Sequence, residues 1–389
     1  MVINKMKLSN KKTFSLILMV FAWILSLNVA SLPQDIWTPE LQMKVKSFGS
    51  LSVSPDGKKV AYTITDAVMT ADKSEMNTQI FLGDLSGNNR QITSGEKSST
   101  TPKWSPDGKK FAFLSNRKDN RNYIYLINPE TNEIIQLTET KTSISAFEWS
   151  PDGNFIAFTM SDAKTPEEEI NDKAKSDHRW IDEVVKQTRL YLIEIGSEIS
   201  QIKPVPLNLT PGNMSVSSDF NWSPDGRKIA FSHSRSQRID DWKSLDISVV
   251  DINEKKIQTL VATPTAEFAP FFSPDGKNIA FVMNDDPPHW AQKSAIYIVS
   301  ASGGGKPRLL TETANNLPTI SGWSGDGKQI FFYELNKTAV KIYSLDAASK
   351  RVAEVNLQDD EVYQNITLNR AGEVFGFTRS YLKNSFLTK

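Results

Sequence analysis

Apolar residues in this chain gather in short alternating runs, divided by polar turns of one recurring kind. Lys110-Phe111-Ala112-Phe113 and Lys228-Ile229-Ala230-Phe231 are two such runs. A period near two predicts strands with one face in a core. Each run follows a Ser-Pro-Asp-Gly tetrapeptide, found at Ser54–Gly57, Ser105–Gly108, Ser150–Gly153, Ser223–Gly226 and Ser273–Gly276. A variant stands at Ser324-Gly325-Asp326-Gly327 and a degenerate copy at Asn369-Arg370-Ala371-Gly372. Ser first, Pro second and Gly fourth is the chemistry of a type I turn. An apolar strand end precedes the turn at Trp104, Trp149, Trp222, Phe272 and Trp323, so each unit opens with a hairpin. A third strand follows, as in Ile124-Tyr125-Leu126-Ile127, Leu190-Tyr191-Leu192-Ile193 and Ile296-Tyr297-Ile298-Val299. A fourth ends in Leu-Thr, at Leu137-Thr138, Leu209-Thr210 and Leu310-Thr311.

The turns begin 51, 45, 73, 50, 51 and 45 residues apart. Four strands per unit at such a period predict propeller blades. The expected fold is therefore all-β: a seven-bladed β-propeller of WD-like hairpin repeats over residues 51–389, with its last blade incomplete. That blade shows one hairpin, Ile366–Leu368 against Val374–Arg379, and the tail Tyr381–Lys389 is too short for two more strands and their turn. The long interval holds an insertion, about 162–188. Within it Thr165-Pro166-Glu167-Glu168 predicts a helix start, with Thr as N-cap, Pro at the first helical position and Glu168 closing a capping box. Acidic residues in that first turn also suit the helix dipole. The helix is either a gate or docking element at the rim, or a solvated decoration.

The first thirty residues stand apart from this pattern. Lys5, Lys7, Lys11 and Lys12 precede the apolar run Phe14–Leu27, and Asn28-Val29-Ala30-Ser31 follows. A charged head, a short apolar middle and a small-residue exit predict a signal peptide over 1–30. The apolar run is shorter than the roughly 20 residues that span a bilayer. Residues 31–50 then form an extension leading into blade one. The expected location is periplasmic or secreted, with no membrane attachment after cleavage.

Composition narrows the chemistry. The 389 residues carry 45 basic and 45 acidic side chains and no cysteine. That excludes disulfides, thiolate metal sites, cysteine nucleophiles and lipoprotein anchoring. The balanced charge gives no sign of a nucleic-acid-binding surface. Loss of the leader removes four lysines and leaves the chain mildly acidic. The turn aspartates read as turn residues rather than metal ligands, and the repeated Trp as core rather than a binding box. The nearest approach to a G-x-S-x-G nucleophile elbow is Gly322-Trp323-Ser324-Gly325-Asp326, which ends in Asp and coincides with the sixth hairpin turn. His178, His233 and His289 stand in unrelated contexts and read as surface or loop residues. No phosphate-binding or dinucleotide fingerprint is present. The expectation is no catalytic, cofactor-binding or metal-binding residue, and no cofactor.

The order of elements resembles the N-terminal propeller of the prolyl oligopeptidase family of serine peptidases, especially its acylaminoacyl-peptidase-like or dipeptidyl-aminopeptidase-like branch. Three features carry the resemblance: Thr38-Pro39-Glu40, then the Ser-Pro-Asp-Gly blades, and the charged insertion before Arg189-Leu190-Tyr191-Leu192-Ile193. It covers about Trp37 to Arg379. TolB and other exported propellers share the turn motif, so the repeats are TolB-like as well. The family implies an α/β-hydrolase domain of roughly 200–250 residues after the propeller, and the chain stops at Lys389. The family's catalytic Ser, Asp and His thus have no positions here onto which they carry. Glu167-Glu168-Glu169 is similar to the acidic pair that holds a substrate amine in dipeptidyl peptidase IV-like enzymes. Thr165-Pro166 stand where those enzymes have aromatics, so that role is not carried over.

Three readings follow. The chain is the substrate-gating propeller of an exported serine peptidase, truncated or split from its hydrolase domain and inactive alone, with short peptides as its ligands when the two are joined. Alternatively it is a stand-alone TolB-like propeller that binds a partner protein, although repeats beginning by residue 51 leave no room for TolB's N-terminal domain. The third reading is an inert fragment.

Overall fold

The Ser-Pro-Asp-Gly turn is self-contained, which is why it recurs unchanged. In the second copy the Ser105 hydroxyl donates to Asp107 Oδ1 at 2.6 Å, and the Lys109 amide donates to the same oxygen at 3.1 Å. The Gly108 amide then closes the turn onto the Ser105 carbonyl at 2.9 Å. Gly108 sits at φ +69°, which L side chains rarely adopt. Copies at Ser54, Ser150, Ser223, Ser273 and Ser324 form the same serine–aspartate bond.

In the computed structural model the described residues are 38–175, 185–196, 203–289, 293–355, 361–369, 372–380 and 383–388. They fall into two units, divided after Val45. In the first, helix α1 (Pro39–Met43) starts at Thr38, whose hydroxyl accepts from the Leu41 amide at 3.2 Å. The second unit consists of antiparallel meanders in chain order: six four-stranded sheets, then a three-stranded one. Their first strands are Ser47–Val53, Ser99–Trp104, Ile144–Trp149, Ser215–Trp222, Glu267–Phe272, Thr319–Trp323 and Glu361–Leu368.

The chain is thus an all-β propeller with six complete blades among the described residues, where seven blades with an incomplete last one were expected, and its seventh sheet has three strands. The three-stranded sheet adds one strand to the expected hairpin. It contains Val374–Ser380 and a further strand, Lys383–Thr388. The tail is too short for two strands, but six residues suffice for one.

The core lies between sheets. Ala61, Ile80 and Leu82 of blade one pack on Trp104, Phe111 and Phe113 of blade two, and equivalent layers fill the next four junctions. Phe375 of the three-stranded sheet, fully buried, packs on Val53, Val60 and Tyr62 of blade one. The turns repeat this order on one face. A Cβ added to Gly108 would meet Pro55 at 3.4 Å, and Gly153, Gly226, Gly276 and Gly327 face Pro106, Pro151, Pro224 and Pro274 in the same way. Gly372 lies against Ser324 and Gly325, and Gly57 lies against Asn369, Glu373 and Phe375. The succession of turns therefore closes on itself.

Two of the three Leu-Thr pairs share a task, while Leu310-Thr311 stays within its own strand, Arg308–Glu312. In blade two the fourth strand, Ile134–Gln136, ends before Leu137, and the buried Thr138 hydroxyl accepts from the Ile124 amide at 2.9 Å. Thr93 and Thr210 do the same for Ile80 and Leu190. The pair extends the ladder with a side chain where the strand itself has stopped.

The insertion begins as expected. Helix α2 (Pro166–Lys173) is capped by Thr165, with the reciprocal Thr165–Glu168 bonds of a capping box. None of its residues is buried. Residues 176–184, among them His178, lie outside the described residues, as does the leader 1–30. No helix among the described residues is long and apolar enough to cross a membrane.

Candidate functional site

The first strands of the sheets surround a cavity of about 750 Å³ at the face that carries the turns. The residue just before the end of each first strand lines it: Ser52, Lys103, Glu148, Asn221, Phe271, Gly322 and Thr367. Seven repeats thus contribute seven different groups at one register. The turn is largely repeated, while this position of the channel wall varies.

The repeated Trp holds this wall together. The Trp104, Trp149 and Trp323 indole nitrogens donate to the Ser52, Lys103 and Phe271 carbonyls of the preceding sheet at 3.1, 3.0 and 3.1 Å. Trp222 makes the same bond to Glu148 at 3.4 Å. Phe272 has no N–H to give, and there the Asn221 side chain accepts from the Phe272 amide instead, at 2.9 Å. Trp104, Trp149 and Trp222 are buried, and their edges border the cavity. Lys103 and Glu148 pair across adjacent sheets, each about one-third exposed. A partly solvated pair contributes at most about 1 kcal/mol, so its weight lies in the charge it presents to the channel.

The residues weighed for chemistry lie in separate local settings. The Ser54 hydroxyl bond holds the Asp56 carboxyl below its ordinary range, and the same cause acts on Asp225, Asp275 and Asp326. The Ser324 hydroxyl donates to Asp326 Oδ1 at 2.7 Å and accepts from the Gln329 amide at 2.9 Å, so it belongs to its own turn. Glu167, Glu168 and Glu169 form the first turn of α2, and the Glu168 carboxylate also pairs with Lys186 at 2.5 Å. His289 is exposed, 3.5 Å from Asp285. His233 corrects the sequence reading: it is buried, with Nε2 2.7 Å from the Ser248 hydroxyl, and burial lowers its pKa. Among the described residues, no three metal-ligating side chains gather in one place.

Sequence reasoning missed a group of acids between the fourth and fifth sheets, on the face opposite the turns. Glu267 is fully buried; burial first, and then the nearby Asp246 carboxylate, raise its pKa to about 7. Its Oε1 accepts from the Thr263 amide at 3.2 Å and from the Thr263 hydroxyl, while Oε2 has no hydrogen-bond partner. Burial also raises Asp246, to about 6, against the pull of Arg235. Asp219 Oδ2 accepts from the Ser232 hydroxyl at 2.8 Å and from the Ala269 amide at 2.5 Å, and burial raises its pKa. A faint signal existed for Glu267. It opens a first strand where Ser47, Ser99, Ser215 and Thr319 open others.

Relatives fit this architecture. The chain is 23% identical over 340 residues to dipeptidyl-peptidase 5 of Porphyromonas gingivalis, covering 82% of this chain and 49% of that protein. It therefore spans about half the length of that relative. Among solved structures, Pyrococcus horikoshii acylaminoacyl peptidase aligns with a TM-score of 0.63 at 16% identity, covering 90% of this chain and 52% of the other. The β-propeller domain of the trilobed protease from Pyrococcus furiosus aligns with a TM-score of 0.62 at 17% identity, over 88% and 95% of the two chains. The fold resemblance drawn from the sequence is thus to the propellers of prolyl oligopeptidase-family peptidases. The family model described as the TolB beta propeller domain matches residues 43–170 and 207–386. With most of its length so matched, the chain belongs to the TolB β-propeller domain family.

Proposed function

We propose that this chain is the non-catalytic, substrate-gating propeller of an exported serine peptidase of the prolyl oligopeptidase family, acting with an α/β-hydrolase domain. The observation that carries the reading is the channel. Its frame of turns and indoles is repetitive, while its wall is a set of seven unlike residues, as suits a passage for short, chemically varied peptides. Relatives named as peptidases and about twice as long support a hydrolase partner. Export rests on the lysine-headed apolar leader, and the partner domain either continues the same polypeptide or is made separately. The propeller's part would be exclusion: a rigid annulus admits an extended peptide and turns folded proteins away.

The test is reconstitution with a hydrolase domain, followed by Thr367→Trp, which narrows the channel wall. Peptide hydrolysis should slow about tenfold, while turnover of a small chromogenic ester should change little. Equal cleavage of folded proteins and peptides, or no effect of the plug, would overturn the gating role. A stand-alone propeller that docks a partner protein is the second reading, supported by the TolB family match. Capture of a stable non-hydrolase partner by the purified chain would favour it.

A further inference from the structure

A second cavity, of about 420 Å³, lies on the face opposite the turns, where the fourth, fifth and sixth sheets begin. Trp242, Leu245, Phe268, Val282 and Pro318 give it apolar walls, and Asp219 brings a carboxylate into the lining. The hydrogen-bond partners of that carboxylate are neutral: the Ala269 amide and the Ser232 and Ser217 hydroxyls. Asp246 and Glu267 directly follow the lining residues Leu245 and Ala266, so two more acids stand beside the site. Arg235 acts on Asp246 and is itself paired with Asp241 at 3.3 Å. The interface thus holds three acids in an apolar surround, where burial disfavours their charged forms and a bound cation would favour them. Apolar walls with a few placed polar groups are the general form of a small-ligand site. A carboxylate there favours a cation, and aromatic faces add cation–π attraction.

We propose that this cavity binds a small organic cation, a primary ammonium on an aromatic or branched apolar body, with Asp219 as its counter-ion. The proposal does not depend on the peptidase reading, because every residue it uses lies in the propeller. The ammonium would sit against the Asp219 carboxylate, and the apolar body would displace water from Phe268, Val282 and Pro318. Asp219 already orders the Ser232 hydroxyl and the Ala269 amide, so its carboxylate is held in place before a ligand arrives.

Titration calorimetry on the full chain tests this, with 2-phenylethylamine as probe and 2-phenylethanol and 3-phenylpropionate as neutral and anionic controls. The amine should bind at least tenfold more tightly than either control. Asp219→Asn keeps an acceptor for the Ala269 amide and removes the charge, and should weaken the amine about tenfold or more. Thr319→Trp, at an exposed position on the rim, should block the site with the carboxylate intact, and it carries the test if Asp219→Asn does not fold. Absence of amine binding, equal binding of the alcohol, or unchanged binding in the folded variants would overturn the proposal.

Discussion

At the residue scale, the fold depends on side chains that satisfy backbone groups at fixed places. Trp149 combines two roles, filling the junction between the second and third blades and donating to the Lys103 carbonyl. Trp149→Phe keeps most of the first and loses the second, so urea denaturation should show a loss of about 1 kcal/mol. Trp149→Ala should cost about 3–5 kcal/mol, since it also opens a cavity. A loss for Trp149→Phe as large as for Trp149→Ala would mean that the bond, not the packing, dominates. Glu267 carries a pH signature. Its folded pKa, about 7, lies above the ordinary 4.5. The folded state therefore binds the proton more tightly than the unfolded chain. The resulting stabilisation is complete below about pH 4.5 and is lost as pH rises through 7. Shifts of that size amount to about 3 kcal/mol. Asp246, raised to about 6, acts with the same sign. Glu267→Gln should flatten the fall in stability between pH 5 and 8; an unchanged slope would place its cause elsewhere. Local residue roles were legible in the sequence: the turn serine and aspartate, and the Thr165–Glu168 box, bond within a few positions of each other. His233 and Glu267 were not legible, because their burial is set by neighbouring sheets far away in the chain.

At the element scale, the same contrast holds. Helix α2 was legible because its cap is local, and it buries none of its residues. Thr165→Ala should therefore cost about 1 kcal/mol locally, speeding amide exchange over 166–173 while the global melting temperature stays put. A large drop in melting temperature would show that the helix is part of the core. The Leu-Thr repeat was visible, but its physical role was not. Only the paired strands reveal that the threonine hydroxyl replaces a missing ladder carbonyl. The strand Lys383–Thr388 was missed because it carries neither a turn signature nor a Leu-Thr ending. Among the described residues it pairs on one side alone, with Val374–Ser380, whereas Asp246–Asp251 is paired on both. Exposed strand edges have few restraints. Exchange should be faster in 383–388 than in 246–251, and equal protection would mean that a further strand covers that edge.

At the scale of the whole molecule, the count of turns foretold a succession of sheets, and glycine-on-proline contacts explain how neighbouring turns stack. Phe375 on Val60 and Gly57 against Asn369 join the last sheet to the first. Such long-range closure leaves no local trace in the sequence. The channel wall was equally hidden. Its seven residues are informative because they differ, and only the shared register brings them together. The proposed gating role rests on that division between a constant frame and a variable lining, with the turn serines, Ser324 among them, bonded within their own turns. The most direct measurement is turnover of acyl-peptide and aminoacyl chromogenic substrates by the purified chain, with and without a serine-directed fluorophosphonate. A non-catalytic gate predicts no hydrolysis and no covalent labelling. Reproducible turnover that the fluorophosphonate abolishes would contradict it.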